Sequence, residues 1–226
     1  MRTYKIRTQR FILLILLLSC ITSVFSSDFF HRIAEDDGLS NRRCFSVQQD
    51  KHGFMWISTK LGVDRFDGKN FRHYPLNLFP DQGYNRIGVN YLRCSPDSTL
   101  WVFSEAGLLF QYDERKDEFE LIYAVRDFFN NHSIILNDVM FDSPETAFLS
   151  TSKGVLKLNL PDRMALLLPG TEELSVNQVN KNDDRYYIST RDGLYISIFP
   201  QTGPMEVRFR CLEGKNVLST YVDMEN

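Results

Sequence analysis

Gly53–Tyr74 reads GFMWISTKLGVDRFDGKNFRHY, and its pattern returns three more times along the 226-residue chain. Aligned on the aromatic residue, FMWISTKLGV from Phe54 matches TLWVFSEAGL from Thr99, AFLSTSKGV ending at Val155 and YYISTRDGL ending at Leu194, without internal gaps. One column holds Trp56, Trp101, Phe148 and Tyr187; three residues later come Thr59, Ser104, Thr151 and Thr190. Gly62, Gly107, Gly154 and Gly193 follow at steps of 45, 47 and 39 residues. Steps of that size belong to solenoids, propellers or arrays.

Each copy holds an apolar run of strand length, a glycine turn and a second short strand such as Val63–Phe66. That is the pattern of a hairpin. In the first copy Asp67-Gly68 turns the chain again into Phe71–Tyr74, and Phe45–Gln49 precedes the Asp50–Gly53 turn as a fourth strand. Four strands per period predict an all-β fold, a β-propeller of four-stranded blades, with about four blades and the start of a fifth. The third copy reads as having a shorter second strand and hence an irregular blade. Runs such as Phe54–Ile57 and Leu100–Phe103 are apolar on both faces, as a sheet stacked between two neighbours requires. Packing accounts for the aromatic column, backbone hydrogen bonding for the hydroxyl column and positive φ for the glycines, so none of the repeated residues signals chemistry.

Residues 1–26 have a basic start (Arg2, Lys5, Arg7, Arg10), the apolar run Phe11–Leu18 and no acid. They read as a signal peptide cleaved near Ser26, with 27–226 as the partial propeller domain; the run is short for a membrane span. Leu17–Cys20 also has the shape of a lipoprotein box, which would lipidate Cys20. Phe29–Ile33 reads as a strand that completes the last blade, and Tyr221–Asn226 resembles Gln48–Gly53, as if the chain stopped before a fifth core strand.

The full chain carries 26 basic and 29 acidic residues; without the four basic residues of 1–26 the balance is 22 to 29, a formal −7. Nucleic-acid binding is not expected of such a segment. Cys44, Cys94 and Cys211 are odd in number and widely spaced, and His31, His52, His73 and His132 are scattered, so neither a disulfide framework nor a metal site is expected. No cofactor motif is present.

The elements Gly38–Asn41, Asp50–Thr59, Gly62–Gly68 and Phe71–Tyr74 together resemble the two-component regulator propeller repeat. The first repeat matches over its whole length, the fourth moderately, and the second and third loosely; Ser58 replaces the usual glycine of its Trp-Ile-Gly-Thr element. The resemblance implies the periplasmic sensor region of a hybrid two-component histidine kinase of the Bacteroidetes type. It implies further propeller blades, an inner-membrane helix and a kinase outside this sequence, and a homodimer at full length. Kinase activity would then belong to the missing part, leaving this segment non-enzymatic.

Two other classes are an exported propeller hydrolase or lyase acting on glycans and a glycan-binding surface lipoprotein. Ser95-Pro-Asp97 resembles a sialidase aspartate box, but its spacing is one residue short and its glycine is absent. No pair of carboxylates stands out as acid and base. For the sensor reading, the ligand is an oligosaccharide or another small extracytoplasmic molecule. Entry loops and second-to-third-strand loops share one rim of a propeller, which nominates Asn41 together with Lys60, Glu105 and Arg191 as ligand-binding residues; Ser152 holds the same position. This column varies while the scaffold does not, as a binding face needs. Lys60 and Arg191 would suit an acidic sugar. The long segments Pro75–Gly88 and Val125–Leu136 are further sources of contacts.

Overall fold

A computed structural model describes residues 32–76, 88–131, 133–198 and 206–221. The chain divides into two compact units, Met1–Ile33 and Ala34–Asn226. The signal peptide expected at 1–26 lies outside the described residues, as do positions 29–31 of the Phe29–Ile33 strand; Arg32 and Ile33 belong to no strand.

The second unit holds four sheets of four antiparallel strands, each sheet a simple meander. The first contains β1 (Cys44–Gln49), β2 (Met55–Thr59), β3 (Gly62–Phe66) and β4 (Phe71–Tyr74). The second contains β5 (Asn90–Cys94), β6 (Leu100–Ser104), β7 (Leu108–Asp113) and β8 (Glu118–Ala124). A short helix, α1 (Val125–Phe129), leads into the third, with β9 (Leu136–Ser143), β10 (Thr146–Thr151), β11 (Gly154–Asn159) and β12 (Met164–Leu167). β13 (Val176–Asn182), β14 (Arg185–Thr190), β15 (Gly193–Ile198) and β16 (Glu206–Cys211) make the fourth. These are propeller blades, with first strands side by side: β1 lies against β5 and β9 against β13.

The second strands carry the core. Trp56, Trp101 and Phe148 are all buried, each against the following blade: Trp56 on Tyr112 and Phe119, Trp101 on Phe141, and Phe148 on Tyr186. Tyr187 in the fourth copy is only half-buried; its neighbours Tyr186 and Ile188 pack against Phe148 of the third blade, as Leu100 and Val102 pack against Trp56 of the first.

The third blade corrects the expectation of a short second strand, although its first two strands pair with two register shifts. β11 has six residues and pairs without a break with both β10 and β12. Buried Leu156 and Leu158 alternate there with exposed Lys157 and Asn159, so the polar residues are the outward face of the strand.

Polar side chains sew adjacent blades together along the first strands. Ser46 Oγ accepts the Leu92 N–H at 2.7 Å, and Ser58 Oγ donates to the Asn90 carbonyl at 2.9 Å. Asn137 reaches the Val176 carbonyl at 2.6 Å, and Asn177 reaches that of Val217 at 2.7 Å. The segment 215–221 therefore lies along β13 as β13 lies along β9, in the register expected for the next first strand. The remainder of the expected Tyr221–Asn226 turn, 222–226, is outside the described residues.

Candidate functional site

The turn between second and third strands is built the same way in three blades and with a variant bond in the second. Thr151 Oγ1 donates to the Gly154 carbonyl at 2.8 Å and accepts the Lys153 N–H at 3.0 Å; Thr190 does the same with Gly193 and Asp192 at 2.8 and 3.1 Å. Thr59 repeats the motif more loosely with Gly62 and Leu61, and Ser104 Oγ accepts the Leu108 N–H at 3.4 Å. The hydroxyl column is thus a side-chain cap for a tight turn. Gly62 has φ of +136°, and a Cβ there would stand 2.4 Å from the Tyr74 carbonyl oxygen, which excludes any other residue.

This turn docks on the entry to the first strand. The N–H groups of Lys60, Glu105, Ser152 and Arg191 donate to the carbonyls of Arg43, Val89, Ile135 and Ser175 at 3.0 to 3.1 Å. The predicted column therefore occupies four equivalent backbone positions at the end of each blade where the first strand begins. Lys60, Glu105 and Arg191 are exposed, whereas Ser152 is half-buried and its Oγ accepts the Ile135 N–H. Glu105 lies beside Tyr91: burial first, then the charge and hydrogen bond of Glu105, raise the Tyr91 hydroxyl above its ordinary pKa. Asn41 Oδ1 accepts the Arg43 N–H at 2.9 Å, so this candidate also shapes the entry loop. Of the long segments, Val125–Leu136 brings α1 to this rim with Phe128 and Ile135 partly exposed. Residues 77–87 of Pro75–Gly88 are outside the described residues.

Sequence reasoning missed Asp64. Its side chain is fully buried, and its carboxylate meets His73 Nδ1 at 2.8 Å and accepts the Ser40 N–H at 2.8 Å. Ser40 Oγ in turn lies 2.8 Å from Thr59 Oγ1. The available signal was the repeat column: where the first copy has Asp64, the others have Leu109, Leu156 and Tyr195.

The opposite rim carries a groove of about 650 Å³ between the first two blades, lined by the Asp50–Phe54 turn, Ser98–Leu100, Gln111–Arg115 and the side of Arg65. Its acids are already engaged. Asp50 accepts the Trp56 indole N–H at 2.7 Å, Glu114 pairs with Lys51 at 2.7 Å, and Glu120 pairs with Arg163 at 2.8 Å. Ser95, at the position of Asp50 in the second copy, accepts the Trp101 indole at 3.1 Å and donates to Asp97. The stretch resembling an aspartate box is therefore a structural turn. Burial and then the Asp64 charge push the Cys44 thiol up, away from a reactive thiolate. Among the described residues no three His, Cys, Asp or Glu side chains gather as metal ligands, and no helix is long and apolar enough to cross a membrane.

No protein-family model matches the chain. Over 52 residues it is 36% identical to Histidine kinase P4 of Formosa agariphila, which covers 23% of this chain and 4% of that protein. Two solved structures from B. thetaiotaomicron share the fold. The extracellular domain of the putative hybrid two-component system BT3049 superposes with a TM-score of 0.60 at 18% identity, covering 79% of this chain and 26% of that one. The corresponding domain of BT4673 gives 0.56 at 19% identity, covering 75% and 24%. The fold is that of a β-propeller. The chain spans about a quarter of the length of these structures, and they are extracellular domains of two-component systems, the setting that the first repeat implied.

Proposed function

We propose that this chain is the extracytoplasmic ligand-sensing part of a two-component signalling protein, recognising an oligosaccharide or a similar small extracytoplasmic ligand. On this reading residues 1–26 export it to the periplasm, and the bound state is passed to a membrane helix and histidine kinase in a longer, inner-membrane-anchored protein that acts as a homodimer. The segment itself performs no catalysis. The observation that carries the reading is the rim: four backbone positions held alike by the turn hydrogen bonds bear Lys60, Glu105, Ser152 and Arg191, side chains that differ in charge and size. A constant scaffold presenting varied side chains is the arrangement of a recognition face. The local identity to a histidine kinase and the shared fold with extracellular sensor domains support it.

Calorimetry on the full-length sensor region with a panel of oligosaccharides tests this reading. Lys60→Ala and Arg191→Ala are each expected to weaken binding of the active saccharide about tenfold, the loss of one charge-assisted hydrogen bond. Unchanged affinity in both variants, with folding intact, removes this rim from consideration.

A further inference from the structure

The first blade differs from the other three in one costly respect. An isolated carboxylate buried in a sheet is strongly unfavourable unless paired and hydrogen-bonded, and the equivalent positions are filled by Leu109, Leu156 and Tyr195. Asp64 is fully buried nonetheless, and facing it across the β3–β4 ladder stands His73, where the other blades have Tyr123, Leu167 and Arg210. The pair holds the Ser40 N–H, and Ser40 holds Thr59. The entry loop is thereby tied to the β2–β3 turn.

That tie sets three cations on one corner. Asn41 caps the Arg43 N–H, and the Arg43 carbonyl accepts the Lys60 N–H at 3.0 Å, so the backbones of Arg42, Arg43 and Lys60 are fixed beside one another. All three side chains are exposed, and none has an ion-pair partner among the described residues. Elsewhere Arg65, Arg93, Arg163, Lys181 and Arg210 are each matched by an acid, while exposed Lys69, Lys153, Lys157, Arg185 and Arg191 stand singly among the described residues; this corner differs in bringing three such cations together. The acid next to this corner, Glu35, is turned onto the Arg42 N–H at 3.0 Å. In a chain of net negative charge, three unmatched cations on an entry loop and the turn docked on it are suited to an anion.

We propose that Arg42, Arg43 and Lys60 form a subsite for an anionic group, a carboxylate or sulfate, on the ligand of this rim, with Asp64 as the positioning residue that holds the loop. The inference rests on the rim reading above and specifies which chemistry the rim selects. The anion can be part of a saccharide or free in solution.

Calorimetry on the full-length sensor region with an oligogalacturonate, a sulfated disaccharide, a neutral oligosaccharide and inorganic sulfate separates these cases. An acidic saccharide is expected to bind, less tightly as salt rises. The triple variant Arg42→Gln, Arg43→Gln, Lys60→Gln is expected to lose about a hundredfold or more in affinity, since each charge-assisted contact carries about a tenfold factor. The charge-keeping variant Arg42→Lys, Arg43→Lys, Lys60→Arg is expected to retain most of the binding. Asp64→Asn is expected to weaken the acidic saccharide and to increase amide exchange at Ser40 and Arg43. Inorganic sulfate bound as tightly as the acidic saccharides would uphold the anion subsite and tell against the saccharide reading. Binding of the neutral oligosaccharide alone, unchanged in the triple variant, overturns the subsite and leaves the rim reading to be decided by Arg191→Ala. Binding of none of the anionic probes overturns the subsite as well.

Discussion

The seam between the first and second blades and the seam between the third and fourth use the same repeat positions with different chemistry. In the former, Trp56 sits in a nest of Tyr74, Tyr112 and Phe119, with ring centroids 4.7 to 5.8 Å from its own. The guanidinium of Arg65 covers Phe54 and Trp56 at 4.9 and 5.5 Å. Asp117 closes the outer end, accepting from the hydroxyls of Tyr74 and Tyr112 and pairing with Arg65 and Arg72. In the latter seam Phe148 meets Tyr186 among Val155, Val176, Val179 and Ile188, and Lys181 pairs with Asp142 at 2.6 Å while lying over Tyr186. A repeat column therefore dictates where a side chain points. How much it contributes depends on what the next blade offers it.

The largest expected effect separates the two seams directly. Trp56→Ala should cost about 4 kcal/mol and Phe148→Ala about 3, because the indole fills a more crowded, fully closed site. Urea unfolding of the two variants measures this, and equal losses would break the comparison.

Next comes Asp117→Asn, expected to cost about 2 kcal/mol by unpairing two arginines and weakening two tyrosine hydrogen bonds. Burial by itself would raise the Asp117 carboxyl, but the hydroxyls of Tyr112 and Tyr74 and the charges of Arg65 and Arg72 outweigh it and hold the group below the usual carboxylate range. A depressed folded-state pKa stabilises above the unfolded value and is lost in acid. The gap between wild type and Asp117→Asn should therefore close as pH falls below about 4. A gap constant down to strong acid would show that the charge is irrelevant to this seam.

The smallest effect is expected at the other seam and at the opposite end of the pH scale. The hydrogen bond to Asp142 raises the Lys181 ammonium pKa, so its contribution is present below the unfolded value and disappears as pH rises through the folded one. Lys181→Gln should cost less than about 1 kcal/mol, with the difference constant at neutral pH and shrinking only once pH rises past the ordinary lysine value of about 10.4. Urea titrations at neutral and alkaline pH decide it.

Much of the fold was legible because its determinants are local. A hydroxyl three residues before a glycine caps that turn whatever surrounds it, and Gly62 is required by a carbonyl twelve residues on in the same sheet. Strand existence and order followed from the apolar runs and their turns. The candidate rim column was legible as well, since it is defined by its distance from those glycines. Less legible were features that depend on partners far along the chain. The second strand of the third copy read as short, yet it runs six residues, with Lys157 and Asn159 on its outward face. In the fourth copy Tyr186 meets Phe148 from the column that faces the preceding blade, the column of Leu100 and Ala147, which is not aromatic in the other copies.

The sequence by itself determined the repeat, the four-stranded blade, the turn geometry and the side chains carried by one rim, because these depend on backbone preferences and spacings of a few residues. Only the tertiary structure decided which aromatic each tryptophan meets, that Asp117 joins three partners across a seam, and that Asp64 is buried against His73 beneath the Ser40 loop. Those contacts join residues on different strands and blades. Their energies come from burial and charge pairing, which do not exist until the sheets are brought face to face.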